Sequence, residues 1–263
     1  MKQVGKILVI IILCAAVWFA WQQYQDAKSA YAPLDQGQIE EVYDIHNLPA
    51  YSGDPAVEIN GGRPDFAVED LETKFFEKLS PLDDLGRCGA AEACLDRWHM
   101  PEGERGEIET IRPSGWQTAT YDFIDNGGFL FNRCHLIGWQ LTGRDADRRN
   151  LITGTRYMNV EGMLPYENEV AWYLRRTKKH VRYRITPVFQ GKELVARGVQ
   201  IEAQSVEDGG RGLCFNVFCY NVQPNVEIDY MTGESKLVQE SVQEPVQEPV
   251  QEPVREPAVQ QEN

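Results

Sequence analysis

An α+β domain built on a mainly antiparallel sheet is the fold class this sequence predicts, on three observations. Residues 129–143, "FLFNRCHLIGWQLTG", begin with the period-two alternation of a strand, between "DNGG" and Thr142-Gly143. Helix signals follow over "TGTRYMNVEGMLPYENEVAWYLRRTKKH". Three more alternating stretches, "HVRYRITPVF", "ELVARGVQIEAQS" and "GLCFNVFCYNVQ", are separated by QGK and EDGGR and read as antiparallel strands. Strand, loop, helix, helix, strands is an α+β order. With 42% hydrophobic residues the chain can bury a substantial core.

Each element follows from local chemistry. Alternation along the first strand places Phe131, Arg133 and His135 on one face and Leu130, Asn132, Cys134 and Leu136 on the other. After the loop "TGRDADRRN", Thr155 can cap a short helix that contains Arg156 and Asn159 and that Gly162 can end. Pro165 suits the first turn of a second helix, with Tyr166, Val170 and Leu174 on one stripe and Glu167 in that first turn.

The two ends differ from the middle. Lys2 and Lys6 precede fifteen uncharged apolar residues, Ile7 to Trp21, fewer than the roughly 17–25 of a spanning helix. Cutting after Ala16 would leave Val17, Trp18, Phe19 and Trp21 exposed, so an uncleaved anchor over 1–22 is favoured over a signal segment. The lysines would stay inside, placing the rest outside the cytoplasm; cleavage would make the protein secreted. A polar stalk is expected over 23–45, the folded domain over 46–236, and a disordered tail of VQEP repeats over 237–263.

Charge is unevenly spread. The formal net charge is −14, yet residues 133–184 hold eleven Arg or Lys against five Asp or Glu. Such a basic segment is the footprint of a polyanion partner. Arg182 and Arg184 share a strand face and are its outlying candidates; Arg133 and Arg156 lie nearer the histidine.

Arg133, Cys134 and His135 raise the question of which side chain does chemistry. Cys134 points away from His135 on a strand, so a thiol nucleophile lacks its base. Cys88, Cys94 and His99 match zinc-site spacing poorly. Cys88 and Cys94 are close enough to form a disulfide, Cys214 and Cys219 are not if they lie five apart on one strand, and free cysteines are an equally good reading. Cys134 is expected to pack beneath its strand.

The stretches "NRCHLIGWQLTG", "NLITGTRYMN" and "YENEV", with "LDDLGRCG", "RPSGW" and "IDYMTGES" around them, resemble the DNA/RNA non-specific endonucleases of the ββα-metal fold, especially the DNA-entry and secreted streptococcal-type branch. The resemblance runs from about Leu48 to Glu234 and departs from the Asp-Arg-Gly-His hallmark at Asn132 and Cys134. It implies a ββα-metal core whose antiparallel sheet is flanked by helices. His135 would be the general base, Asn159 the protein ligand of a magnesium ion, for which manganese can substitute, and Glu167 a carboxylate near the metal's waters. Asn150 matches a second family asparagine near the site. Arg133 can contact a phosphate oxygen.

The function implied is sugar-nonspecific, magnesium-dependent hydrolysis of DNA, and by extension RNA, outside the cytoplasmic membrane. Its partners would be nucleic acid and, through the N-terminal segment, the membrane, without a small-molecule cofactor. A neutral imidazole with pKa near 6.5 suits proton removal from water, so activity is expected to slow below about pH 6. Two other readings compete: a catalytically silent nucleic-acid-binding or uptake module, with Asn132 as its mark, and an antibacterial nuclease toxin.

Overall fold

The computed structural model describes residues 43–238 and, apart from them, Trp18. The expected anchor, stalk and VQEP tail fall almost wholly outside the described residues. No helix among those described is long and apolar enough to cross a membrane.

Six strands form the main sheet: β1 (Ala56–Glu58), β2 (Phe76–Leu79), β3 (Ala91–Leu95), β6 (Val181–Val188), β7 (Gly198–Ser205) and β8 (Cys214–Tyr220). Their order is β1-β8-β7-β6-β3-β2, and every neighbouring pair is antiparallel. Alternation gives the sheet two unlike faces. Ala93, Leu95, Val181, Tyr183, Ile201 and Val217 face the core, where Val170 and Leu174 of helix α2 (Leu164–Thr177) pack against them. The predicted apolar stripe of this helix is therefore its buried face. The architecture is the expected α+β arrangement of few helices and a mainly antiparallel sheet.

Arg182 and Arg184 lie on the opposite face of that sheet. The register sets Arg184 between Glu92 and Glu202, and Arg182 between Cys94 and Gln204. Arg184 grips Glu202 through two nitrogens at 2.6 and 2.9 Å, and Arg182 pairs with Glu92. The Phe66 ring lies 4.9 Å from the Arg182 guanidinium and 5.0 Å from that of Arg184. Arg182 is buried. The nucleic-acid role expected of these two arginines is corrected here: both charges are spent across the sheet, away from the groove described below.

A separate ribbon, β4 (Phe131–His135) with β5 (Leu151–Thr155), packs beside the helix. The alternating stretch predicts a strand running on to residue 141, yet β4 stops at His135. Beyond it Leu136 N–H donates to the Asn150 carbonyl, and the Asn150 side chain takes both the N–H and the carbonyl of Ile137 at 2.9 and 3.0 Å. With its backbone held this way the chain leaves the ladder, and residues Trp139–Thr142 form a short helix, α1, closed by Gly143 in the left-handed region.

The two predicted helices are one. Thr155 does cap its start, its hydroxyl oxygen accepting from Met158 N–H at 3.0 Å. Arg156 and Tyr157 are helical, Met158–Met163 is a π-helix, and α2 follows without a break. Leu164 N–H bonds the Asn159 carbonyl, five residues back, just before Pro165, which has no N–H of its own. Gly162 thus does not end a helix. A Cβ there would stand 3.3 Å from Cys219 Cβ, so the glycine serves close packing on β8.

The five described cysteines are free. Cys88 and Cys94 are buried and donate separately to backbone carbonyls, so the disulfide offered for them is absent. Cys134 is fully buried, as packing beneath the strand requires. Its room comes from Gly154, where a Cβ would stand 2.4 Å from Cys134 Sγ and 2.6 Å from Met158 Cε. Gly154→Ala is therefore expected to overpack this spot by about 1–3 kcal/mol, lowering Tm by roughly 3–9 °C. Adding Cys134→Gly should return most of that loss in thermal melts, and a double variant no more stable than Gly154→Ala would refute the assignment.

Candidate active site

His135 ends β4 and opens onto a groove of about 940 Å³ between the ribbon, the start of α2 and the loop over residues 105–119. Among the groove's lining residues are Arg105, Asn132, Arg133, His135, Asn159 and Glu167. Arg156 also lines it, its guanidinium held by Asp125 at 2.9 Å.

The imidazole is fixed at both nitrogens. Nε2 lies 3.1 Å from the Asp145 carbonyl, which can only accept, so Nε2 holds the proton. Nδ1 therefore bears the lone pair, and it accepts from Arg105 Nη2 at 2.9 Å. Burial, and next the charge of Arg105, bring the His135 pKa down to about 4. The ring is a neutral acceptor throughout the physiological range. Asp145 serves twice, since its carboxylate also accepts from Gly106 N–H at 2.9 Å and thereby ties the Arg105 loop to the same turn.

Asn159 comes from the π-helical turn just after β5. Its Nδ2 donates to Asn132 Oδ1 at 3.2 Å, which leaves Asn159 Oδ1 as the acceptor free for a cation. Asn132, although it stands where the hallmark has Asp, accepts this hydrogen bond as a carboxylate would. It supplies the geometry without the charge.

Glu167 lies in the first turn of α2 against Gly138, where a Cβ would stand 2.6 Å from Glu167 Oε2. Burial pushes its carboxyl up to about 7, an effect that a hydrogen bond from Gln140 and the charge of Arg105 only partly offset. A carboxylate so enclosed is short of positive charge. Among the described residues no group of three or more His, Cys, Asp or Glu could hold a metal ion. A hydrated hard cation needs none: one amide oxygen and a nearby carboxylate fit an ion that keeps most of its waters. The donor set thus suits magnesium.

Arg133 lines the same groove as His135 and is anchored in its wall. Its Nε donates to the Ile111 carbonyl and its Nη2 to the Glu109 carbonyl, each at 2.7 Å, and its guanidinium lies 4.1 Å from the Trp116 ring centre. Arg133 holds the loop that forms one groove wall. Asn150 is fully buried and, through Ile137, fixes the turn just after His135. Asn150 thus acts on the site through the backbone, and Arg133, which itself lines the groove, also braces its wall. Arg105 and Asp145 were missed by sequence reasoning. Arg105 sits in "PEGERGEIET", which has no periodicity, and Asp145 acts on the histidine through its backbone.

A two-stranded ribbon running into a helix, with a histidine on the first strand and an asparagine at the helix start, is consistent with a ββα-metal core and defines a nuclease class of enzyme. The chain belongs to the DNA/RNA non-specific endonuclease family, whose model matches residues 71–207. A deoxyribonuclease of Streptococcus dysgalactiae subsp. equisimilis is 29% identical, over 59% of this chain and 58% of that relative's length. The chain thus spans little more than half of this relative. The crystal structure of NucA from Streptococcus agalactiae with magnesium bound superposes with a TM-score of 0.64 at 29% identity, covering 74% of this chain and 92% of NucA. Sda1 nuclease with bound zinc gives 0.59 at 26% identity, over 71% of this chain and 97% of Sda1. These neighbours place the chain with the streptococcal-type nucleases.

Proposed function

We propose that this protein is a divalent-cation-dependent, sugar-nonspecific endonuclease that hydrolyses phosphodiester bonds in DNA, and in RNA, outside the cytoplasmic membrane. The observation that supports it best is the His135 ring, neutral by burial and presenting its Nδ1 lone pair to the groove. Water bonds to phosphorus as its proton passes to His135 Nδ1, and the ester P–O bond breaks with its electron pair on the leaving oxygen, which takes a proton from solvent while His135 gives its own back to water. Arg105 must release Nδ1 for this to happen, and its guanidinium then lies beside the phosphate oxygens it can neutralise. Asn159 Oδ1 and Glu167 would hold the cation; bound there, a divalent ion neutralises the phosphate and the leaving oxygen. Magnesium bound to NucA supports that choice. The location rests on Lys2, Lys6 and the apolar run from Ile7 to Trp21.

A silent binding module draws its support from Asn132, yet Asn132 still orients Asn159. Plasmid and RNA digestion by the full chain separates the readings. Cleavage of both with magnesium, abolished by EDTA, is expected. Binding without cleavage in magnesium, manganese or zinc would establish the module.

A further inference from the structure

The basic segment, residues 133–184, is mostly spent internally. Arg144, Arg149, Arg156, Lys179, Arg182 and Arg184 are all in ion pairs, and Arg133 is held by loop carbonyls. Among the described residues, none of the segment's other four cations forms an ion pair: Arg148 is exposed alone just before β5, whereas Arg175, Arg176 and Lys178 are exposed together at the C-terminal end of α2. Beside them Trp172 is 56% exposed, with the Arg176 guanidinium 4.9 Å from its ring centre.

These residues lie farther along a helix whose start lines the groove. Leu164 and Asn168 line it, and Trp172 and Arg176 follow on the same helix at steps of four residues. Each step rises about 6 Å, so the stripe from Leu164 to Arg176 spans roughly 18 Å. Cations at a helix C-terminus also oppose the helix dipole, which accounts for the arginines but not for an indole left in water. An exposed aromatic flanked by unpaired cations is what an unpaired base and its phosphates require. Glu169 is the acid that a bound strand must pass.

We propose that the outer face of α2 binds single-stranded nucleic acid leaving the groove, Trp172 stacking on a base and Arg175 and Arg176 neutralising phosphates. This rests on the nuclease reading above and extends the bound length beyond the cleavage site. The test is binding by the full chain in EDTA, followed by anisotropy, with labelled single strands of roughly 6 and roughly 20 nucleotides, shorter and longer than the span of groove plus helix face. The longer strand should bind the wild type more tightly, and Trp172→Ala should shrink the long-to-short affinity ratio roughly ten-fold. Trp172→Phe should restore it. The pair Arg175→Ala and Arg176→Ala should flatten the log–log salt dependence for the longer strand by about 1.4, at about 0.7 for each phosphate no longer neutralised.

An unchanged ratio in Trp172→Ala would overturn the proposal, as would an equal loss on fully paired duplex, where no base is free to stack. So would variants that keep the ratio but lose binding to phosphatidylserine vesicles, which would make the face a lipid contact. Plasmid digestion by the wild type is scored separately. If the wild type cleaves and the ratio is insensitive to Trp172, only this proposal fails; if it cleaves nothing, the nuclease reading fails first.

Discussion

Replacing His135 with glycine is expected to cut cleavage by roughly 10²–10⁴, the usual worth of a positioned general base. The loss should be in kcat, and imidazole added to the buffer should partly refill the gap left between Arg105 and the Asp145 carbonyl. The wild-type pH profile should carry the same signature. With its pKa brought down to about 4 by burial and then by Arg105, His135 stays a competent acceptor well below the pH 6 expected of an ordinary imidazole. Metal-saturated activity should therefore persist to about pH 5. Arg105→Gln removes one of the two causes and should move that limb to higher pH. The folded state binds fewer protons than the unfolded chain between pH 6.5 and about 4, so stability too is lost as pH falls through that window. Folding should be checked alongside. A folded His135→Gly protein that cleaves plasmid at the wild-type rate would end the general-base assignment.

How much of this was legible in the sequence depends on whether the deciding partner was local. Alternation located β4 because Phe131 and Cys134 face buried neighbours. It could not show where the strand ended, since that is set by Asn150 closing on Ile137, 13 residues away in the chain. The apolar stripe of α2 and the Thr155 cap lie within a turn or two of each other and were readable. The join between the helices was not, because Pro165 and Gly162 both look like terminators until the Gly162 backbone is seen against β8. Counting charges over residues 133–184 treated Arg182 as free, whereas its partner Glu92 lies 90 positions earlier and meets it only through strand register. Motif order brought Asn132, His135, Asn159 and Glu167 to one groove. Arg105 belongs to the same groove but comes from an aperiodic loop 30 positions before the histidine, where no pattern marks it. Pairings of this kind belong to tertiary structure, and they decide which of many arginines remain free to meet a polyanion.

Glu167→Gln should separate function from stability at a single atom. Its enclosed carboxyl titrates at about 7 instead of 4.5, so the folded state retains a proton that the unfolded chain has already released. Folded-state stability is therefore lost as pH rises from 4.5 through about 7; the full shift corresponds to about 3 kcal/mol, and because the residue keeps some solvent contact the loss is on the order of 2 kcal/mol. Gln keeps the shape and the contact with Gly138 without ever ionising. At pH 8 in EDTA the variant should melt roughly 4–8 °C above wild type, and at pH 4.5 the two should coincide. Magnesium should reverse the order of the effect, because only a carboxylate gains from a cation placed beside it: the wild type should be stabilised at pH 8 and the variant scarcely at all. Activity should fall roughly 10–100-fold in Glu167→Gln. In the wild type at limiting magnesium it should decline as pH drops through 7, a limb that more magnesium pushes to lower pH. Equal magnesium-dependent stabilisation of both proteins would show that Glu167 does not face the cation, and the site would have to be rebuilt around Asn159 alone.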